Sequence, residues 1–185
     1  MSSSASSVRP ELWSGQTIKT IGLAGEFDSG KSLFLLSIDP PNTICYDFED
    51  SSASYTGLGI GERVDVPKEM QKLFPKGYNQ VQLYLWWRDH VRSIPAGKFR
   101  VMAVDPISDI EQGFADWVEQ NPEEFHRTQK QYEKGGGILW GDMKSAYNLF
   151  LTDAASRVET LAFSVHMRDQ FKGGAPTGRR EPKGK

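Results

Sequence analysis

The stretch "TIKTIGLAGEFDSGKSLFLLSI", residues 17–38, decides the fold. Its first part, residues 17–25, mixes β-branched and small apolar residues and predicts a strand. The segment "GKSLFLLSI", residues 30–38, predicts a short helix that the prolines of "DPPN" end. Between them, "GEFDSGKS" at residues 25–32 fits the spacing G-x-x-x-x-G-K-[ST]. A strand, this spacing and a helix in that order predict a phosphate-binding loop.

The chemistry of this loop follows from its residue types. Gly25 and Gly30 let the backbone N–H groups point inward at phosphate oxygens, and the helix adds the positive end of its dipole. Lys31 is expected to reach the β- and γ-phosphates, and the Ser32 hydroxyl is expected to bind Mg²⁺. The nucleotide-binding residues predicted in this way are Gly25, Glu26, Phe27, Asp28, Ser29, Gly30, Lys31, Ser32 and Leu33. The alternative is a glycine-rich turn beside a surface lysine.

The rest of the chain alternates between strand-like and helix-like segments. Further strands are predicted at 43–50, 99–108 and 159–166, and helices at 78–94, 108–120, 123–134 and 142–158. A capping box is expected from Ser108 to Glu111, a glycine-rich loop in "GGGILWG", and a helix cap at Asp142. Strands joined by helical crossovers predict a three-layer α/β fold with a mainly parallel central sheet.

Polar residues follow the predicted strands, where ligands bind in such sheets. "YDFED" ends the second strand, expected next to the first, and offers Glu49 as a general base for water. "VMAVD" ends the third strand in Asp105, a Mg²⁺-holding carboxylate after a phosphate loop. "SVHMRD" ends the fourth strand, where His166 would contact the γ-phosphate. The alternatives are solvated carboxylates and a structural histidine.

Composition sets broad limits on the class of protein. The 185 residues suit one domain, and 38% hydrophobic with 25% charged residues is ordinary for a globular chain. A net charge of −2 argues against coating nucleic acid through bulk charge. The one cysteine fits a reducing compartment, and no apolar run predicts a membrane span or signal peptide. We expect a cytoplasmic protein with a flexible tail at 1–16.

The four strand ends, in this order, resemble those of the RecA-like P-loop ATPases, and most closely the phage-type branch associated with single-strand annealing and recombination. The likeness runs from residue 18 to the last residue. It implies ATP and Mg²⁺ as cofactors, with Lys31, Glu49 and His166 as catalytic residues and with Ser32 and Asp105 as metal ligands. The fourth strand of the family ends in a polar sensor, usually Gln, where this chain has His166. RecA-like cores usually continue with more strands, so the resemblance implies either a core truncated at the C-terminus or a minimal core that completes its sheet in another way.

The same resemblance implies partners and a compartment. These are single-stranded DNA, a neighbouring copy that supplies trans-acting residues, and an annealing or single-strand-binding protein, in the cytoplasm of a bacterium or phage-infected host. The core is predicted at 17–166, followed by a basic, glycine-rich flexible loop or tail at 167–185.

This last segment is the predicted DNA contact. Six basic and two acidic residues give it a charge of +4, on a chain whose total is −2. Such residues follow a phosphate backbone, and Phe171 offers a stacking face. Trp140, in the glycine-rich loop before the last predicted helix, is either a second stacking residue or a buried anchor of the helix start. The predicted contacts are Arg168, Lys172, Arg179 and Arg180. A solubilising tail is the alternative.

Two other functions fit parts of the sequence. A nucleotide-gated binding or scaffold protein with little hydrolysis would explain the acidic Asp28 in an anion-binding loop and the His166 departure. A small-molecule kinase fits less well, because no arginine-rich lid segment is present between the helices.

Overall fold

The computed structural model describes residues 20–25, 29–134, 136–172 and 175–182. The strands are β1 (Thr20–Gly25), β2 (Thr43–Asp47), β3 (Glu62–Asp65), β4 (Val101–Asp105), β5 (Thr160–Lys172) and β6 (Ala175–Pro182). The helices are α1 (Lys31–Ser37), α2 (Val66–Leu73), α3 (Gln80–Ser93), α4 (Ser108–Gln120), α5 (Gln129–Lys134) and α6 (Gly136–Ser156). Short 3₁₀ segments occupy Pro40–Asn42, Ser51–Leu58 and Pro122–Phe125.

Five strands form an all-parallel sheet in the order β1-β5-β4-β2-β3. The predicted parallel α/β sheet is therefore confirmed, in the three-layer form of a P-loop NTPase. The second strand does not lie beside the first, as the sequence suggested, because β5 and β4 come between them. Sequence order alone does not decide which strands pair across helical crossovers.

The two faces of the sheet carry different cores, because alternate strand residues point to opposite sides. On one face, Ile44 and Met102 join the larger cluster with residues of α3, α4 and α6. On the other, Cys45 and Ala103 pack with Leu35 of α1. All residues of β2 and β4 are buried, as expected for central strands covered on both faces.

Helices α3 and α4 approach each other closely at Gly113. A Cβ placed on Gly113 would lie 2.0 Å from the backbone oxygen of Gln80. Glycine is therefore required there by contact between two backbones, not by its own dihedral angles. Aromatic rings of both helices surround this crossing, with Tyr84 and Phe114 packed edge to face at a centroid distance of 5.2 Å.

Three local predictions are wrong. The segment 136–141, expected to be a loop, forms the first turns of α6. Asp142 consequently lies inside the helix, where it accepts a hydrogen bond from Arg127 Nε at 3.0 Å. The capping box is also absent, since α4 has no side-chain cap and the buried Ser108 hydroxyl has no partner in the described part of the chain.

The sequence reading missed β3 and α2. Strand β3, "ERVD", is short and carries three charged residues, so it has no apolar run that marks a strand. Helix α2 did have a start signal, namely Asp65 followed two residues later by Pro67. In the structure the Asp65 carboxylate accepts the Lys68 backbone N–H at 3.1 Å, an N-cap contact.

Candidate functional site

The strand register brings the polar strand ends to one edge of the sheet. Gly25 of β1 pairs with His166 of β5, and Asp105 of β4 pairs with Asp47 of β2. Helix α1 begins above this edge at Lys31. The candidate site residues lie on separate strands in the sequence. The register therefore makes them neighbours in space.

The loop after β1 is shaped for a close backbone turn. Gly30 has a φ of 81°, the left-handed conformation that glycine adopts without strain. A Cβ on Gly25 would lie 2.7 Å from the Ser29 hydroxyl, so the loop leaves no room for a side chain there. The Lys31 ammonium donates to the Gly25 carbonyl at 3.1 Å and to Ser29 Oγ at 3.3 Å, reaching back over the loop.

The structure describes six of the nine predicted nucleotide-binding residues. Glu26, Phe27 and Asp28 lie outside the described residues. Leu33 is described, and its side chain is 43% exposed on α1, away from both cores. A solvent-facing position there keeps Leu33 available for contact with a ligand.

Ser32 and Asp105 are linked by two hydrogen bonds through the side chain of Ser51. Ser32 Oγ donates to Ser51 Oγ at 3.5 Å, and Ser51 Oγ donates to Asp105 Oδ2 at 2.9 Å. Asp105 also accepts a hydrogen bond from the buried hydroxyl of Ser164. A serine hydroxyl near a carboxylate fits Mg²⁺, a hard cation that prefers oxygen ligands.

The described residues contain no group of three or more His, Cys, Asp or Glu side chains able to hold a metal by themselves. The Ser32 hydroxyl and the Asp105 carboxylate are oxygen donors, which fit Mg²⁺ because this ion prefers oxygen ligands, keeps several waters and takes further ligands from substrate phosphates. The residues present therefore fit the implied ion.

Asp47, which the sequence did not single out, organises the loop after β2. Its fully buried carboxylate accepts the backbone N–H groups of Glu49, Ser51 and Ser52 at 3.2, 3.0 and 2.9 Å. Arg63 Nη2 of β3 donates to the same carboxylate at 2.8 Å. The signal in the sequence was weak, because Asp47 looks like any acid at a strand end.

The environment of Asp47 keeps it charged. Burial, the largest influence, would raise its pKa, but the hydrogen bonds from Ser52 and Arg63 and the Arg63 charge together lower the pKa below its ordinary value. A charged Asp47 holds the loop that carries Glu49 and Ser51.

Glu49 and His166 are in direct contact. Glu49 Oε1 and His166 Nε2 are 2.9 Å apart, and both side chains are partly exposed at the sheet edge. The general base and the sensor suggested by the sequence thus form one pair, joining the loop after β2 to strand β5.

A family model described as an AAA domain matches residues 18–184. The chain belongs to this AAA domain family. Its members are generally P-loop NTPases. The match therefore supports the class of nucleotide-binding ATPases, which the residues at the four strand ends also predict. No curated protein matches the chain.

The basic segment of this AAA domain differs from the flexible loop or tail suggested from Met167 onward. Strand β5 continues to Lys172, and β6 returns antiparallel to it. Arg168 pairs with Glu181, and Asp169 with Arg180, in the backbone register. Their side chains, with those of Phe171, Lys172 and Arg179, lie outside the described part of the structure.

Trp140, the other predicted stacking residue, lies in α6 with 43% of its side chain exposed. The Lys144 ammonium lies 5.4 Å from the centroid of its ring.

No helix in the described part of this AAA domain is long and apolar enough to cross a membrane.

Proposed function

We propose that this AAA domain is an ATP-binding, Mg²⁺-dependent ATPase of the RecA-like type that acts on single-stranded DNA in phage recombination or repair. The observation that carries the proposal is the meeting of Lys31, Ser32, Asp105 and Glu49 at one edge of the sheet. Phosphoryl transfer needs these parts: a cationic loop, a metal site and a residue that orients water.

Each of these residues has a separate role in the proposed hydrolysis. The loop amides and Lys31 hold the β- and γ-phosphates. Ser32 and Asp105 would hold Mg²⁺, and the ion would supply positive charge against the charge that develops on the phosphate oxygens. Glu49 accepts the proton of the attacking water as the bond between the β- and γ-phosphates breaks. His166, 2.9 Å from Glu49, orients that carboxylate.

The first test separates nucleotide binding from hydrolysis. Lys31→Ala removes charged contacts to phosphate, so affinity for an ATP analogue should fall about 100-fold. Glu49→Gln should lower turnover at least about 100-fold and leave binding within about threefold. Analogue titration and steady-state phosphate release measure the two effects.

Glu62→Gln is the matched control, because Glu62 is a partly exposed glutamate at the opposite end of β3 that pairs with Lys98. It should leave both quantities unchanged. Unchanged affinity and turnover in Lys31→Ala would contradict the proposed function. Nucleotide binding without turnover in the wild type would favour the nucleotide-gated binding protein.

Support for DNA binding comes from the charge of the β5–β6 hairpin. Arg168 and Lys172 lie on one strand, and Arg179 and Arg180 lie on the other. Four phosphate contacts on a single strand give a slope of roughly −3 for the logarithm of the binding constant against that of salt concentration. A neighbouring copy would add an arginine or lysine in trans to the ATP site, and a single-strand-binding or annealing protein would be the further partner.

The second test measures single- and double-stranded DNA binding at several salt concentrations, with and without an ATP analogue. We expect tighter binding to single strands and a requirement for nucleotide. Changing Arg179 and Arg180 together to Ala should make the slope shallower by about 1.4. Lys68 and Lys72, exposed on α2, form the matched control pair. No binding at low salt would contradict the DNA role and leave the ATPase proposal standing.

A further inference from the structure

Ser51 lies at the centre of the metal-site residues without belonging to any of the motifs. Its hydroxyl donates to Asp105 Oδ2 at 2.9 Å, lies 3.4 Å from Asp47 Oδ1, and accepts from Ser32 Oγ at 3.5 Å. Two carboxylates and one hydroxyl therefore surround a single serine side chain. A hydroxyl has one proton, and the shortest of these contacts directs it to Asp105.

The position of Ser51 is fixed from outside the metal site. Its backbone N–H donates to Asp47 Oδ1 at 3.0 Å, and Asp47 is in turn held by Arg63 at 2.8 Å. Asp47 is fully buried, so this anchor is shielded from solvent. The loop that presents Ser51 is thus held by a charged pair whose described side-chain hydrogen bonds go to neither Ser32 nor Asp105.

Both oxygens of Asp105 are occupied by serines. Ser164 donates to Oδ1 from strand β5, and Ser51 donates to Oδ2. A carboxylate held at both oxygens has one orientation, whereas a carboxylate held at one oxygen can rotate. Residues that orient a metal-binding group in this way commonly change metal affinity about 10- to 100-fold when they are mutated.

We infer that Ser51 is a positioning residue of the Mg²⁺ site, acting through Asp105 and Ser32 and held in place by the Asp47–Arg63 pair. The inference rests on the proposed function, which places Mg²⁺ at Ser32 and Asp105. It adds a residue that the phosphate loop and the strand-end carboxylates do not predict.

The test is the Mg²⁺ concentration needed for half-maximal binding of a nonhydrolysable ATP analogue to the full chain. Ser51→Ala should raise this concentration about tenfold or more. Analogue binding in EDTA should not change, because Ser51 orients the metal-binding carboxylate and has no contact with the phosphate loop backbone among the contacts above. Ser51→Thr, which keeps the hydroxyl, should restore the wild-type requirement.

Ser51→Cys is measured in parallel, since it keeps the side-chain volume and has only a weak donor, and it should behave like Ser51→Ala. Ser37→Ala is the control, because the Ser37 hydroxyl donates to the Phe34 carbonyl at the far end of α1, away from the metal-site residues. A wild-type Mg²⁺ requirement in both Ser51→Ala and Ser51→Cys would overturn the inference alone. Analogue binding by the wild type that is independent of Mg²⁺ would overturn the proposed metal dependence and this inference together.

Discussion

Asp47 and Asp105 occupy paired positions on neighbouring strands, yet their surroundings differ. Asp47 faces Arg63 and a set of backbone N–H groups, while Asp105 accepts hydrogen bonds from two serine hydroxyls. The first arrangement stabilises a permanent charge within the fold. The second belongs to the carboxylate that the proposed function assigns to Mg²⁺.

At the scale of single residues we predict that Asp47→Asn destabilises the fold. The change breaks a buried charged pair, so the free energy of unfolding should fall by about 3 kcal/mol. Urea unfolding followed by circular dichroism measures this. Glu69→Gln removes the exposed pair with Lys72 and should change the same quantity by less than about 0.5 kcal/mol. Equal effects of the two changes would contradict the anchoring role of Asp47.

The same residue predicts an acid dependence. Because the pKa of folded Asp47 is lower than that of the unfolded chain, its stabilisation is complete above about pH 3.9. It is lost as the pH falls from there through the folded-state pKa. The gap in unfolding free energy between wild type and Asp47→Asn should therefore be constant from pH 7 to 5 and narrow below about pH 4. A gap that widens at low pH would contradict this.

Among the elements, the α3–α4 crossing shows how contact overrides helix propensity. Gly113 and Gly141 both lie inside helices, where alanine is intrinsically better by about 1 kcal/mol. At Gly113 the added Cβ would meet the Gln80 backbone at 2.0 Å, whereas at Gly141 it would meet nothing within 4 Å.

Gly113→Ala should consequently destabilise the domain by about 1–3 kcal/mol, since the helices must move apart. Gly141→Ala should stabilise it by about 0.5–1 kcal/mol. Thermal or urea unfolding of the two variants measures the difference in sign. A stabilising effect of Gly113→Ala would show that the close approach of α3 and α4 is not maintained in solution.

For the whole molecule, ligand binding and stability are linked. A ligand that binds only the folded state, present at 100 times its dissociation constant, adds about 2.7 kcal/mol to the unfolding free energy. For a domain of this size that corresponds to a rise in Tm of roughly 5–10 °C. We expect such a rise with an ATP analogue and Mg²⁺, a smaller one in EDTA, and little in Lys31→Ala. A full rise in Lys31→Ala would place the nucleotide elsewhere.

Sequence reasoning succeeded where local chemistry decides the outcome. A strand, a glycine-rich loop and a helix in residues 17–38 fixed the P-loop class, and apolar runs ending in acids located β2 and β4. It failed where local signals are weak or are overridden. Strand β3 is short and charged, and the glycines of 136–141 enter a helix whose later residues pack against α3 and α4.

The sequence by itself determined the chemical parts: the phosphate loop, Glu49, Asp105, His166 and a basic segment at 167–185. The tertiary structure decided how they combine, because the order β1-β5-β4-β2-β3 follows from packing over long separations that no local pattern records. That order brings His166 to Glu49, 117 residues away, and sets Ser51 against Asp105. The contacts of Asp47, Ser51 and Arg63 exist only after the sheet has formed.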